Sequence, residues 1–247
     1  MPRLKKRFGQ HLLVSQGAIK NIVKFANIKP GEVVVEIGPG TGNLTKELLK
    51  APLSRLYLVE IDEEMFNKLS EELKDQRVKV FLADATEFDF FSLGHENIKC
   101  IGNLPYNVAS LIIENTVKHH PLVSEAIYMV QKEVGIRLEK EKSWLSIFVR
   151  TFYEVEYMMS LPPKFFIPPP RVESSVIRLK RKNLTTPIDP QKYKEVLTKL
   201  FHARRKMLKQ KVPLSILNAA GIKPEKRVDE LELKEFLLLY DAFCTCT

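Results

Sequence analysis

EVVVEIGPGTGNLTKELLK, residues 32–50, decides the fold. Val33 to Ile37 is an unbroken, mostly β-branched run, the pattern of a strand buried on both faces of a parallel sheet. A glycine-rich turn follows, placing Gly38, Gly40 and Gly42 where the backbone must bend tightly and a ligand can approach it closely. Beyond the turn, Leu44, Leu48 and Leu49 mark the apolar side of a helix. Strand, glycine turn and helix together open an α/β sheet, and such sheets bind ligands at the carboxyl ends of their strands.

The same unit recurs outward from this stretch. Upstream, QGAIKNIVKFANI (16–28) spaces Ile19, Ile22, Val23 and Ala26 at helical intervals. Downstream, RLYLVEID, VKVFLADA, IKCIGNLP and EAIYMVQ read as further strands; EEMFNKLSEELKD, VASLIIENTVKH and KEVGIRLEKE read as helices. This alternation predicts parallel strands with right-handed crossovers. After Ser143 it stops, and SIFVRTFYEVEYMMSLP and SSVIRLKRK read as an antiparallel pair at the sheet edge. The polar, proline-containing NLTTPIDPQ suggests a boundary, dividing the chain into residues 1–185 and a helical unit, 186–247. Asp189-Pro190 is a helix start with an N-cap and an N1 proline. QKYKEVLTKLFHARRKML, LSILNAA and LELKEFLLLYDAF then read as three helices.

With 247 residues, 45% of them hydrophobic, the chain has the composition of a globular protein. No apolar run reaches the roughly 18 residues of a membrane-spanning helix, and the basic N-terminus lacks the apolar stretch of a secretion signal. Cys100, Cys244 and Cys246 show no metal or disulfide spacing. The expectation is a monomeric cytoplasmic protein without a bound metal. A net charge of +9 favours polyanionic partners. The charge is clustered: Arg3, Lys5, Lys6 and Arg7 at the start; Arg178, Lys180, Arg181 and Lys182; and Arg204, Arg205, Lys206, Lys209 and Lys211 in one expected helical stretch. Separated clusters of this kind read as a footprint along a nucleic-acid backbone, with Arg171 as a further RNA-binding candidate.

Acidic residues mark the ligand. Glu60 ends the second strand, where a carboxylate can receive the two hydroxyls of a ribose. Asp84-Ala85 ends the third, offering a second carboxylate to a base amino group; Ile61 and Ala85 join the cofactor-binding candidates. The glycine spacing is GxGxG, unlike a dinucleotide fingerprint, and no Walker lysine loop is present. S-adenosylmethionine, a nucleoside without phosphates, fits better than a nicotinamide dinucleotide.

In KCIGNLPYNVAS (99–110) an amide, a proline and an aromatic ring stand together at a strand end. Methylating the N6 amine of adenine requires acceptors that grip its two N–H groups and draw the nitrogen toward a tetrahedral shape. The Asn103 side-chain oxygen and the backbone carbonyl of Leu104 or Pro105 can supply them. Proline stiffens this turn, and Tyr106 can stack on the base. In PPKFFIPPPRVESS, Phe166 is the candidate for the base's other face.

These motifs resemble a family. KKRFGQHLL, VEIGPGTGNLT, VEID, ADA, GNLPYNVAS, MVQKEV and FIPPPRVESSVIRL occur in the order seen in the ribosomal RNA adenine dimethyltransferases, from about Lys5 to about Leu179. The resemblance implies a Rossmann-like, seven-stranded class I methyltransferase domain with a small C-terminal α-helical domain. It implies S-adenosylmethionine contacts at His11, Leu13, Gly38, Glu60, Asp84 and Asn103, and places Asn103, Tyr106 and Phe166 at the target base. The family usually has Gln-Asn-Phe-Leu where this chain has Gln10-His11-Leu12-Leu13. NLPY and FIPPPRV look most like the bacterial branch that dimethylates two adjacent adenosines in a hairpin loop near the 3′ end of small-subunit (16S) RNA, free or in a pre-30S particle. The rival readings are methylation of large-subunit RNA of the antibiotic-resistance type and a ribosome-assembly factor with incidental methylation.

Overall fold

The computed structural model describes residues 11–246. A short strand β1 (Leu12–Leu13) leads into α1 (Gln16–Ala26), whose N-cap Ser15 accepts from the Ala18 N–H. Then come β2 (Val33–Ile37), α2 (Asn43–Leu48), β3 (Arg55–Glu60), α3 (Glu63–Glu72), β4 (Val78–Leu82), β5 (Ile98–Asn103), α4 (Ala109–Lys118), β6 (Val123–Gln131) and α5 (Lys132–Lys140). Every residue of β2 is buried, Glu36 along with its four apolar neighbours.

The next element corrects the sequence reading. Ser146–Phe152, expected to begin a strand, belongs to helix α6 (Trp144–Phe152), and only Tyr153–Leu161 is extended, as β7. Ser143 caps the helix by accepting from the Ser146 N–H at 3.2 Å. Leu145, Ile147, Phe148, Val149 and Phe152 all pack inward, and the helix lies against α4 and α5 among others. Leu145, Phe148, Val149 and Phe152 stand at i, i+3, i+4 and i+7, a helical spacing that the strand reading passed over.

After β8 (Phe166–Ile167) and β9 (Ser174–Arg181), the sheet is complete. Its seven strands run in the order β4-β3-β2-β5-β6-β9-β7. Neighbours from β4 through β6 are parallel, while β9 lies antiparallel to both β6 and β7. The order reverses between β2 and β5, whose carboxyl ends, Ile37 and Gly102, are register partners. A switch point of this kind opens a crevice above the sheet. A lysine in the fully buried face of β5 is also accounted for, since Lys99 pairs with Glu32 at 2.9 Å and Glu125 at 3.3 Å.

Three helices close the chain: α7 (Pro190–Phe201), capped by Asp189, α8 (Leu214–Ala219) and α9 (Leu233–Cys246). They share one buried apolar cluster with the sheet domain. Tyr193 carries the join, packing its ring on Phe148 and Phe152 and meeting the Thr151 hydroxyl at 3.0 Å. Lys194 adds an ion pair to Glu114 of α4 at 2.6 Å. The stretch expected to continue α7 through Leu208 turns instead. His202 ends the helix, and Ala203 adopts a left-handed φ of 51°.

Candidate active site

The crevice at the switch point is a cavity of about 840 Å³, counting its open mouth. The glycine turn, the ends of β3 and β4, the NLPY turn and the N-terminal strap around β1 form its walls. Among the described residues no lysine or arginine lines it, whereas Glu60 and Asp84 do. A phosphate group finds no cationic partner there; a neutral ribose or a positively charged group finds carboxylates.

Glu60 organises the glycine turn. Its Oε2 accepts from the Gly40 N–H, and its Oε1 from the Ile61 and Asp62 N–H groups, all at 3.0 Å. Burial pushes its pKa above the usual carboxylate range, while those N–H groups pull it down. Gly40 can make this bond because it takes φ +55°, and a side chain there would press on Leu12. Asp84 is exposed; its Oδ1 accepts from the Thr86 N–H and hydroxyl at 2.8 and 2.7 Å, and Oδ2 has no partner among the described residues. Ile61, 43% exposed, and Val108 and Ile112 give the wall apolar surface for a flat ring.

The NLPY turn lies opposite. Asn103 ends β5 and donates from Nδ2 to the His11 carbonyl at 2.5 Å, which leaves Oδ1 as its free acceptor. The two backbone carbonyls differ in their partners. Pro105 O already accepts from the Val108 N–H at 3.1 Å, whereas Leu104 O takes no bond among the described residues. The Tyr106 hydroxyl meets Ser174 Oγ at 2.6 Å, and burial raises the phenol's pKa, keeping it neutral.

Of the expected cofactor residues, His11, Gly38, Gly40, Glu60, Ile61, Asp84, Ala85 and Asn103 line this cavity, with Leu104, Pro105 and Tyr106 of the base-handling set. Leu13 does not; it lines a smaller adjoining recess with Glu36, Gly38 and Asn103. The structure does not bring Phe166 to the cavity either. Its ring is 1% exposed, in a cluster with Leu13, Leu161 and Val176, because β8 pairs with β1 and turns that side chain inward.

The basic candidates divide. Lys5, Lys6 and Arg7 lie outside the described residues. Arg171 is exposed in the proline-rich loop. Arg204, Arg205 and Lys206 are exposed on a turn rather than a helix; Arg204 pairs with Asp229, while Arg205 and Lys206 have no ion pair among the described residues. The cluster in β9 is largely committed within the protein. Arg178 pairs with Glu125 and Glu156, Arg181 holds Asn97, and Lys182 donates to Arg150 O.

Sequence reasoning missed Leu12, Asn107, Val108 and Ile112 of the wall, the Ser174 anchor, and Glu36. The last had a signal: a carboxylate inside the all-apolar run of β2. Glu36 is 1% exposed, accepts from the Thr45 hydroxyl at 2.7 Å, and burial pushes its pKa up to about 8.

An open sheet of this strand order, with a crevice at its switch point lined by carboxylates and, among the described residues, by no lysine or arginine, defines a class I methyltransferase fold. The chain belongs to the ribosomal RNA adenine dimethylase family, whose model matches residues 1–244. It is similar to the Ribosomal RNA small subunit methyltransferase A of Persephonella marina, at 42% identity over 96% of this chain and 93% of that protein. The protein of the same name from a Sulfurihydrogenibium species is 39% identical, over 96% and 95%. Among solved structures it is similar to a dimethyladenosine transferase from Plasmodium falciparum, with a TM-score of 0.82 and 26% identity over 95% of this chain and 98% of the other.

Proposed function

We propose that this enzyme converts two adjacent adenosines in a hairpin loop near the 3′ end of small-subunit (16S) ribosomal RNA to N6,N6-dimethyladenosine, with S-adenosylmethionine as donor. The observation that carries the donor is the crevice wall, which offers carboxylates and, among the described residues, no lysine or arginine. Glu60 would receive the ribose, Asp84 the base amino group, and Ile61 with Ile112 the flat ring. When bound, the cofactor supplies an electrophilic methyl group on a cationic sulfur.

The protein's part is to hold the acceptor amine. Asn103 Oδ1 and Leu104 O are acceptors of the turn without a donor among the described residues. Gripping both N–H groups of an adenine N6 draws its lone pair out of conjugation with the ring. Tyr106, its hydroxyl fixed by Ser174, offers the ring for stacking, a contact worth about 1–3 kcal/mol. Positioning and fixed dipoles, rather than a strong base, carry this catalysis. The target adenosine must leave its stack to reach the turn.

The helical unit after residue 185 would dock RNA, with Arg205 and Lys206 on phosphates. Reversing both charges should weaken RNA binding and lower its salt slope by about one per lost contact, leaving cofactor affinity intact. Equal loss of both affinities would contradict this.

The names of the similar curated proteins support small-subunit over large-subunit RNA as substrate. The test is transfer of labelled methyl to unmethylated small- and large-subunit RNAs, naked and in particles, followed by nucleoside mass analysis. N6,N6-dimethyladenosine in small-subunit RNA alone is expected. Label in large-subunit RNA would move the enzyme to the resistance-type relatives. Cofactor binding without any transfer would favour an assembly factor.

A further inference from the structure

His11 stands where the family resemblance puts asparagine, and its surroundings give it more than one task. Its carbonyl accepts from Asn103 Nδ2 at 2.5 Å, so the main chain of residue 11 fixes which end of the Asn103 amide is left for a substrate. Its ring lies 5.4 Å from the Tyr106 ring, tilted by 30°, inside the ~4.5–7 Å range of direct aromatic contact. No base fits between rings that touch, so His11 braces Tyr106 from one side while Ser174 holds its hydroxyl. Its Nδ1 lies 2.7 Å from Pro168 O. A carbonyl only accepts, so Nδ1 carries the proton.

The rest of the strap supports these contacts. Leu12 pairs with Ile167 and Leu13 with Phe166. The Val14 N–H donates to Phe165 O at 2.9 Å, and Asn43 Nδ2 to Leu13 O at 3.0 Å. The strap is thereby tied to the proline-rich loop on one side and to the first residue of α2, after the glycine turn, on the other. His11 is the residue of this strap that also touches both ends of the NLPY turn.

We propose that His11 is a positioning residue of the base-handling turn: its carbonyl sets the face Asn103 presents, its ring braces Tyr106, and its Nδ1–H locks the strap to the proline-rich loop. This deepens the methyltransferase reading and rests on it. It also explains how histidine can replace asparagine. An asparagine amide N–H occupies nearly the place of an imidazole Nδ1–H, so either side chain can close the contact to Pro168 O.

The test compares His11→Ala, His11→Asn and His11→Phe for cofactor affinity by calorimetry and for turnover with saturating RNA and cofactor. His11→Ala should lower kcat roughly 10- to 100-fold, as small misplacements of reacting groups do, and saturating cofactor should not recover it, whatever change in cofactor Kd follows from losing a side chain of the cavity wall. His11→Asn restores the N–H and should recover most of kcat; His11→Phe restores only the ring and should recover less. A weakened Kd with unchanged kcat would make His11 a plain cofactor contact and overturn the proposal, as would wild-type kcat in His11→Ala. Should the wild-type enzyme methylate no RNA, the functional reading fails by itself. A crystal structure of His11→Ala then decides the inference: a displaced 165–168 segment and a reoriented Tyr106 support it, and an unchanged site refutes it.

Discussion

Tyr106 and Phe166 are both aromatic residues beside proline-stiffened turns, and only one of them reaches the crevice. Tyr106 sits in a turn outside any strand, so no alternation dictates where its ring goes. Its hydroxyl finds Ser174, and its ring stays half-buried against His11. Phe166 lies in β8, which pairs with β1, and neighbouring side chains of a strand point to opposite faces. Phe166 therefore faces the core at 1% exposure, and Ile167 faces out at 45%. The strand register decides which ring is core and which is available to a ligand. Residue type and a neighbouring proline do not.

The largest expected effect falls on stability. Phe166→Ala should cost about 3–5 kcal/mol, as for other fully buried phenylalanines, read by denaturant unfolding. A loss near zero would break the contrast. Asn103→Ala should act on the reaction instead, lowering turnover roughly 10²–10³-fold, as removing one preorganised polar group does elsewhere. Measured with both substrates saturating, a variant that keeps wild-type turnover would remove the amide from the mechanism.

Carboxylates sharpen the same contrast between strand interior and strand end. Glu60 ends β3 and is held by three N–H groups; Glu36 is inside β2, with the Thr45 hydroxyl as its partner. Burial raises Glu36 from 4.5 to about 8, so between those values the folded state keeps a proton that the unfolded chain releases. Raising the pH through that window therefore favours unfolding, by at most about 1.4 kcal/mol per pH unit, and the effect ends above the folded pKa. Glu36→Gln should flatten this decline in unfolding experiments between about pH 5 and 8; parallel profiles would contradict it. The smallest effect belongs to Tyr106→Phe, which loses only the 2.6 Å contact to Ser174. Loss of one hydrogen bond, about 1 kcal/mol, should lower turnover roughly fivefold.

Much of the fold was legible because parallel strands advertise themselves as apolar runs punctuated by glycine, as Val33–Ile37 does. The carboxylate wall of the crevice was legible for the same reason: Glu60 and Asp84 close such runs. Legibility failed where long-range contacts decide the outcome. Ser146–Phe152 is a different case: its helical spacing, with Leu145, Phe148, Val149 and Phe152 at i, i+3, i+4 and i+7, was present, but the run continues into β7 with no glycine or proline between them to mark the change. Arg204–Lys206 turns because α7 ends at Phe201, though the local composition favours helix. The strap's grip on Asn103 joins residues 92 apart in sequence, and no local pattern announces it. Glu36 differs from these, since an acid within a β-branched run was visible from the start.

The most direct test of the contrast is to measure, side by side, kcat and the unfolding midpoint of Tyr106→Leu and Phe166→Leu. Tyr106→Leu should lose roughly 10- to 100-fold in kcat, the worth of a base stack, with stability lowered by about the 1 kcal/mol of the lost Ser174 hydrogen bond. Phe166→Leu should lower the midpoint and leave the kcat of the folded enzyme within about threefold. A fully folded Phe166→Leu enzyme whose turnover falls as far as that of Tyr106→Leu would put the Phe166 ring on the base and contradict the account.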